Sequence, residues 1–139
     1  MKKNKRLLQE INITRTPANN LILLRLILDD DFTAIEFGYV APFYYERGGW
    51  IRIDQQSYIS NGVKKFKLLR AENIPVSPDS MHFESIRDWQ FFTLYFEPIP
   101  KIDQIIDIIE SQNPNSNDFN FYSIAVEMDK CFSIFDSDF

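Results

Sequence analysis

Short apolar runs alternate along this chain with breaks of Pro, Gly, Asn and Asp, at intervals that suit strands better than helices. Residues 7–14 open the pattern, with Leu7, Ile11 and Ile13 on one side of an expected first strand. Pro17 and the pair Asn19-Asn20 then break it. Leu21–Leu28 is apolar apart from Arg25, and eight residues is strand length, so it reads as a central strand buried on both faces. Asp29-Asp30-Asp31 turns the chain, after which Thr33, Ile35, Phe37 and Tyr39 alternate with Ala34, Glu36 and Gly38. Side chains of a strand point alternately to opposite faces, so a period of two predicts a hairpin between these two segments.

The middle of the chain continues in short pieces. Trp50-Ile51-Arg52-Ile53 reads as a short strand and Tyr58-Ile59 as another, and Asn61-Gly62 is the favoured centre of a two-residue hairpin turn, where both residues need positive φ. Residues 64–69 return as a strand with Phe66 and Leu68 inward. Ile74-Pro75-Val76-Ser77-Pro78 suits an edge or a connection, because proline cannot donate to a ladder. In residues 89–97, Phe92, Leu94 and Phe96 face one way and Thr93, Tyr95 and Glu97 the other. Residues 119–126 form the last clear strand, leaving 127–139 as a C-terminal tail. One segment is ambiguous: Ile102, Ile105, Ile106 and Ile109 fit the spacing of an amphipathic helix, while the isoleucine-rich run also suits a buried strand. On the residues alone the two stand level. The pattern as a whole predicts an all-β, two-layer immunoglobulin-like antiparallel β-sandwich of about seven to nine strands. It forms a single domain over 1–139, with its core at about 7–126.

Composition strengthens the sheet reading: 13 Phe, 6 Tyr and 2 Trp stand against 4 Gly and 3 Met. The net charge of −5 is unevenly placed. Lys2, Lys3, Lys5 and Arg6 hold four of the 15 basic residues, so the remainder carries 11 basic against 20 acidic. Such a chain lacks the basic face that displaces counterions from phosphates, and nucleic acid is not an expected partner. Cys131 is the only cysteine, so an intrachain disulfide is impossible. No run approaches the ~18 apolar residues of a membrane-spanning helix. The basic start leads only into Leu7-Leu8 and Gln9-Glu10, without the apolar stretch of a signal peptide. As it stands the chain reads as cytoplasmic, or as exported if a leader has been removed.

Several stretches then fall in a familiar order: Gly49-Trp50-Ile51-Arg52-Ile53, Ile74-Pro75-Val76-Ser77-Pro78, the run from Phe92 through Glu97-Pro98-Ile99-Pro100-Lys101, Ile106-Asp107-Ile108-Ile109-Glu110, and Phe119-Asn120-Phe121-Tyr122-Ser123-Ile124. Over roughly residues 20–126 the chain resembles an uncharacterised bacterial immunoglobulin-like β-sandwich module of unknown function. The resemblance implies a strand at Ile106-Asp107-Ile108-Ile109-Glu110 and carries no catalytic motif.

The chemistry-bearing residues point the same way. His82 is the only histidine and has no Ser, Cys or Asp motif beside it, as nucleophile activation would need. Cys131 has no second cysteine for a Cys-x-x-Cys pair, and one His with one Cys cannot assemble a four-ligand zinc site. Asp29, Asp30 and Asp31 are a weak calcium candidate, since calcium takes carboxylate oxygens, but Asp also favours turns for its local hydrogen bonds. Glu97, Asp107 and Glu110 could be offered as a glycosidase pair, yet nothing in the sequence fixes their separation. Gly48-Gly49 precedes a strand rather than a helix, so it is no phosphate cradle.

The aromatic stretch Phe43, Tyr44 and Tyr45, with Trp50 and Tyr58, is the candidate binding surface, because Tyr and Trp offer rigid contact area with one polar end. The expected function is that of a non-catalytic protein–protein interaction or accessory module, without a cofactor. Its partner is an unknown protein, or a second copy using edge strands and the apolar Cys131, Phe132, Ile134 and Phe135. The alternative is a carbohydrate-binding module using Tyr44, Tyr45 and Trp50, and a small hydrolase is the third reading.

Overall fold

The computed structural model describes residues 5–14, 21–40, 50–51, 55–72, 81–82, 89–110 and 120–135. Their strands are β1 Lys5–Thr14, β2 Leu21–Leu28, β3 Thr33–Val40, β4 Trp50–Ile51, β5 Tyr58–Ser60, β6 Lys65–Glu72, β7 Met81–His82, β8 Trp89–Phe96, β9 Gln104–Ile109, β10 Phe121–Val126 and β11 Phe132–Phe135. A short 3-10 helix, Met128–Lys130, precedes β11, and the described residues hold no α-helix. The sheet order is β10-β9-β5-β6-β8-β3-β2-β1-β11, and β4 pairs separately with β7. Every pairing is antiparallel.

The long sheet curls into a half-barrel, so its two ends face each other across one core. Phe37 of β3 stacks on Phe92 of β8 with centroids 5.1 Å apart, and meets Phe121 of β10 at 5.8 Å. Four strands separate β3 from β10 in the sheet. In a flat sheet, with strands ~4.8 Å apart, they would stand roughly 24 Å from each other. The contact exists only because the sheet folds over. Leu23, Leu26, Ile35, Phe37, Phe92 and Leu94 supply one side of the core, and Ile59, Ile106, Ile108, Phe121 and Ile124 the other. Each such side chain contributes about 1.5–3 kcal/mol on leaving water.

The expected antiparallel β architecture is present, as one continuous sheet bridged by β6–β8. The β2–β3 hairpin is also there, closed by the Asp29 amide donating to the Phe32 carbonyl at 3.0 Å. The isoleucine run is strand β9, held between β5 and β10. A helix would have gathered Ile102 and Ile105 onto its apolar face, whereas both are exposed and Ile106 and Ile108 are buried.

Three departures from the sequence reading are local, two of them bulges and the third a turn. Leu21–Leu28 is not buried on both faces: Leu23, Leu26 and Leu28 point inward and Arg25 outward. The register shift between Leu23 and Arg25 resets the alternation, and the run is continuous because Ile22, Leu24 and Ile27 are apolar although only half-buried. In β1, Asn12 has φ 56 within a second shift, and Ile13 turns outward instead of joining Leu7 and Ile11. The β5–β6 turn sits one residue later than expected. The Asn61 amide donates to the Lys64 carbonyl at 3.2 Å, so Gly62 and Val63 are central. Gly62 alone takes the positive φ, +86°, the arrangement with glycine at the first central position. The Asn61 side chain accepts from the Val63 and Lys64 amides instead of occupying the left-handed region itself.

Residues 127–139, read as a tail, hold the 3-10 helix and β11. β11 pairs with β1 through Lys5↔Phe135, Arg6↔Ile134, Leu7↔Ser133 and Leu8↔Phe132, and so forms one end of the sheet.

Candidate functional site

Phe43, Tyr44 and Tyr45 lie outside the described residues. Trp50 is on β4, in register with His82 on β7. Tyr58 is on β5, opposite Lys67 of β6 and Ile109 of β9. Its half-buried ring carries the Lys65 ammonium 4.8 Å from the centroid, within cation–π reach. The two lysines, Tyr58, Gln55, Gln56 and Leu68 line a groove of ≈ 480 Å3.

Asp29 holds the turn through its side chain. The Asp31 amide donates to Asp29 Oδ2 at 3.0 Å, and Arg6 Nε donates to Asp29 Oδ1 at 2.9 Å. Lys101 Nζ meets Asp30 Oδ1 at 2.7 Å. Two of the carboxylates therefore already face cations. Among the described residues no group of three or more His, Cys, Asp or Glu side chains could hold a metal ion.

Two of the three carboxylates considered for glycosidase chemistry serve the backbone. Glu97 accepts from the Lys67 amide, Asp107 accepts from the Ser123 amide, and each contact is 2.8 Å. The Asp107 contact supports Ser123 at φ 56, where β10 bulges. Glu110 donates its own amide to the buried Asn120 side chain at 2.6 Å.

Cys131 is half-buried and its thiol donates to the Glu127 carbonyl at 3.3 Å. Burial, then the charges of Asp103 and Asp129, push its pKa up, so less thiolate forms than on a free cysteine. Alkylation by iodoacetamide should accordingly be slower for the folded protein than for the urea-unfolded chain, and its rate should rise at a higher pH. Equal rates with coincident pH profiles would refute this environment. The folded state holds the proton longer, so this group's contribution to stability declines as pH rises from the ordinary thiol value to the raised one.

The feature that the sequence did not expose is the contrast between the two ends of the sheet. β10 is bulged between Phe121 and Ile124, and the Ala125 carbonyl accepts from Gln9 Nε2 at 3.0 Å. β11 pairs with β1 in an unbroken register, and among the described residues no strand lies on its other side. Phe132 there is 64% exposed and lies in cross-strand register with Leu8 and Ile27, giving an apolar row on the outer face. The alternation of Phe132, Ser133 and Ile134 was the available signal.

Compared with known proteins, the chain matches no family model, no curated protein and no solved structure. The resemblance to a bacterial immunoglobulin-like module is thus met by the all-β architecture alone. No helix among the described residues is long and apolar enough to cross a membrane.

Proposed function

We propose that the chain is a non-catalytic protein-interaction module that binds by strand addition at β11. The observation that carries this reading is an edge strand, regular along its four residues and with no further strand beside it among the described residues, on which Phe132 is exposed. An added strand gains main-chain hydrogen bonds from such an edge, and side-chain pairs along it supply selectivity. An immunoglobulin-like sandwich is the architecture we assign to it, with the β8-β3-β2-β1 and β5-β9-β10 parts of the curled sheet as its layers. The shared core between those parts supports that assignment.

The test is affinity capture with the wild-type protein against Phe132→Lys, which alters an exposed side chain and leaves the core intact. Wild type is expected to retain a partner that the variant loses. A wild type that captures nothing and never self-associates defeats the reading.

A second reading, carbohydrate binding, is favoured by the groove at Tyr58, where amide and ammonium groups surround an aromatic ring. Glycan-array binding abolished by Tyr58→Ala would move the assignment there, and a blank array would dismiss it.

A further inference from the structure

We propose that the groove at Tyr58 binds an acidic saccharide, a sugar carrying carboxylate or sulfate groups, whose charge is met by Lys65 and Lys67. This rests on the carbohydrate reading of that groove and names the class of sugar it takes.

The first argument is charge. Among the described side chains, cations without a carboxylate partner gather at the start of β6. Arg6, Arg25, Arg70, Lys101 and Lys130 each form an ion pair. Lys64, Lys65 and Lys67 are exposed, and none of them pairs with a carboxylate among the described residues. Glu97, just past β8, gives its Oε1 to the Lys67 backbone amide instead. The chain as a whole is acidic, with a net charge of −5. Exposed charges more than about 8 Å away are largely screened at physiological ionic strength, so the local ammonium groups set the field in the groove.

The second argument is geometry. Lys65 and Lys67 share the outer face of β6, while Phe66 between them points into the core. Two residues apart on one strand, their Cα atoms stand roughly 7 Å from each other. Lys67 is directly opposite Tyr58, and the Lys65 ammonium lies 4.8 Å from the centroid of the Tyr58 ring. The ring thus holds one ammonium in place beside the other. A neutral sugar stacking on that face would have to displace the Lys65 ammonium, whereas an anionic sugar meets it.

The third argument is the rest of the lining. Gln55 and Gln56 contribute side-chain amides, which both donate and accept, as sugar hydroxyls require. The volume of ≈ 480 Å3 lies within the range of small-molecule sites, roughly 300–1,000 Å3. Among the described residues that line it there is neither a carboxylate nor an arginine. A carboxylate would repel an acidic ligand. Arginine supplies the bidentate fork that suits phosphate, so its absence from this lining favours a sugar acid over a phosphorylated ligand.

Titration of the full chain, followed by backbone amide NMR shifts, tests the proposal with four probes: a short galacturonate oligomer, its neutral methyl ester, a heparin oligosaccharide and inorganic sulfate. An acidic oligomer is expected to bind with shifts centred on Tyr58, Lys65 and Lys67, and the one that binds tells carboxylate from sulfate. The ester should bind about tenfold more weakly or not at all, since a hydrogen bond to a charged group is worth about that factor or more. Lys65→Gln and Lys67→Gln should each cost about the same factor, and Lys65→Arg and Lys67→Arg should retain binding. Lys130→Gln, outside the groove, should bind as wild type does. All these side chains are exposed, and circular dichroism checks that each variant is folded. An ester that binds as tightly as the acid, or glutamine variants at Lys65 and Lys67 that bind like wild type, refutes the charge requirement and leaves carbohydrate binding standing. An equal loss in Lys130→Gln would show attraction to the chain at large and overturn the site. Inorganic sulfate that reproduces the same shifts at the same concentration refutes a sugar as the ligand. No binding by any probe refutes the proposal, and a blank glycan array beside it refutes the carbohydrate reading as well.

Discussion

Phe37→Ala is expected to destabilise the protein by about 3–5 kcal/mol, the largest loss from any single truncation in the core. The side chain is fully buried, in the central part of β3, and holds Phe92 and Phe121 on either flank. Those partners belong to β8 and β10, strands fixed by their own backbone ladders, so they cannot collapse into the space a truncation would leave. Single domains have about 5–15 kcal/mol in total, which makes this one substitution a large share of it. Urea unfolding is the measurement. Phe37→Leu keeps most of the volume and should lose only about 1–2 kcal/mol. A double-mutant cycle of Phe37→Ala with Phe121→Ala should return a coupling of about 0.5–1.5 kcal/mol, because the two rings meet only through the curl of the sheet. Additive losses would mean that the two halves do not pack on each other there.

How far the sequence reveals this fold depends on whether a strand keeps its period. β8 was legible because Phe92, Leu94 and Phe96 alternate strictly with Thr93 and Tyr95, and the burial follows that alternation. β1 and β2 were legible as strands but not in their facing, since a bulge changes phase without leaving a mark in composition. β9 was ambiguous because isoleucine at four positions satisfies two periodicities at once. Only its position between β5 and β10 decides the matter. β11 stayed hidden because four residues carry too little pattern to stand apart from a tail, and its strand character comes from its pairing with β1.

The candidate site was less legible than the fold. The aromatic reading rested on residue type, and of its five residues only Tyr58 has a described side-chain setting. An edge is a property of sheet order, which no local motif encodes, so neither β11 nor the protection of β10 could be read from one strand at a time. Residue type suggested calcium at Asp29, Asp30 and Asp31, whereas the long-range contacts Arg6–Asp29 and Lys101–Asp30 complete the turn. Those partners come from β1 and from the segment after β8, and the spacing of the three aspartates does not announce them.

Gln9→Leu should remove about 2–4 kcal/mol, although it replaces a polar residue by an apolar one of similar size in a buried place. Gln9 occupies an inward position of β1 between Leu7 and Ile11, where the alternation calls for an aliphatic side chain. Its amide instead closes the seam of the half-barrel. Nε2 donates to the Ala125 carbonyl at 3.0 Å, and Oε1 accepts from the Glu127 amide at 2.9 Å. Leucine would leave that carbonyl and that amide without their partner, and an unsatisfied buried group costs about 1–3 kcal/mol. Their partial exposure to water keeps the expected total below the sum for two fully buried groups. Gln9→Glu separates the donor from the acceptor role. An ionised carboxylate can still accept from the Glu127 amide but turns an acceptor towards the Ala125 carbonyl, whereas a protonated one can donate there. Its folded-state pKa should therefore be raised, so its deficit against wild type should shrink as pH falls into the carboxylate range and grow as pH rises through the raised value. Urea midpoints for Gln9→Glu that track the wild type at every pH would show that the seam closes without this donor.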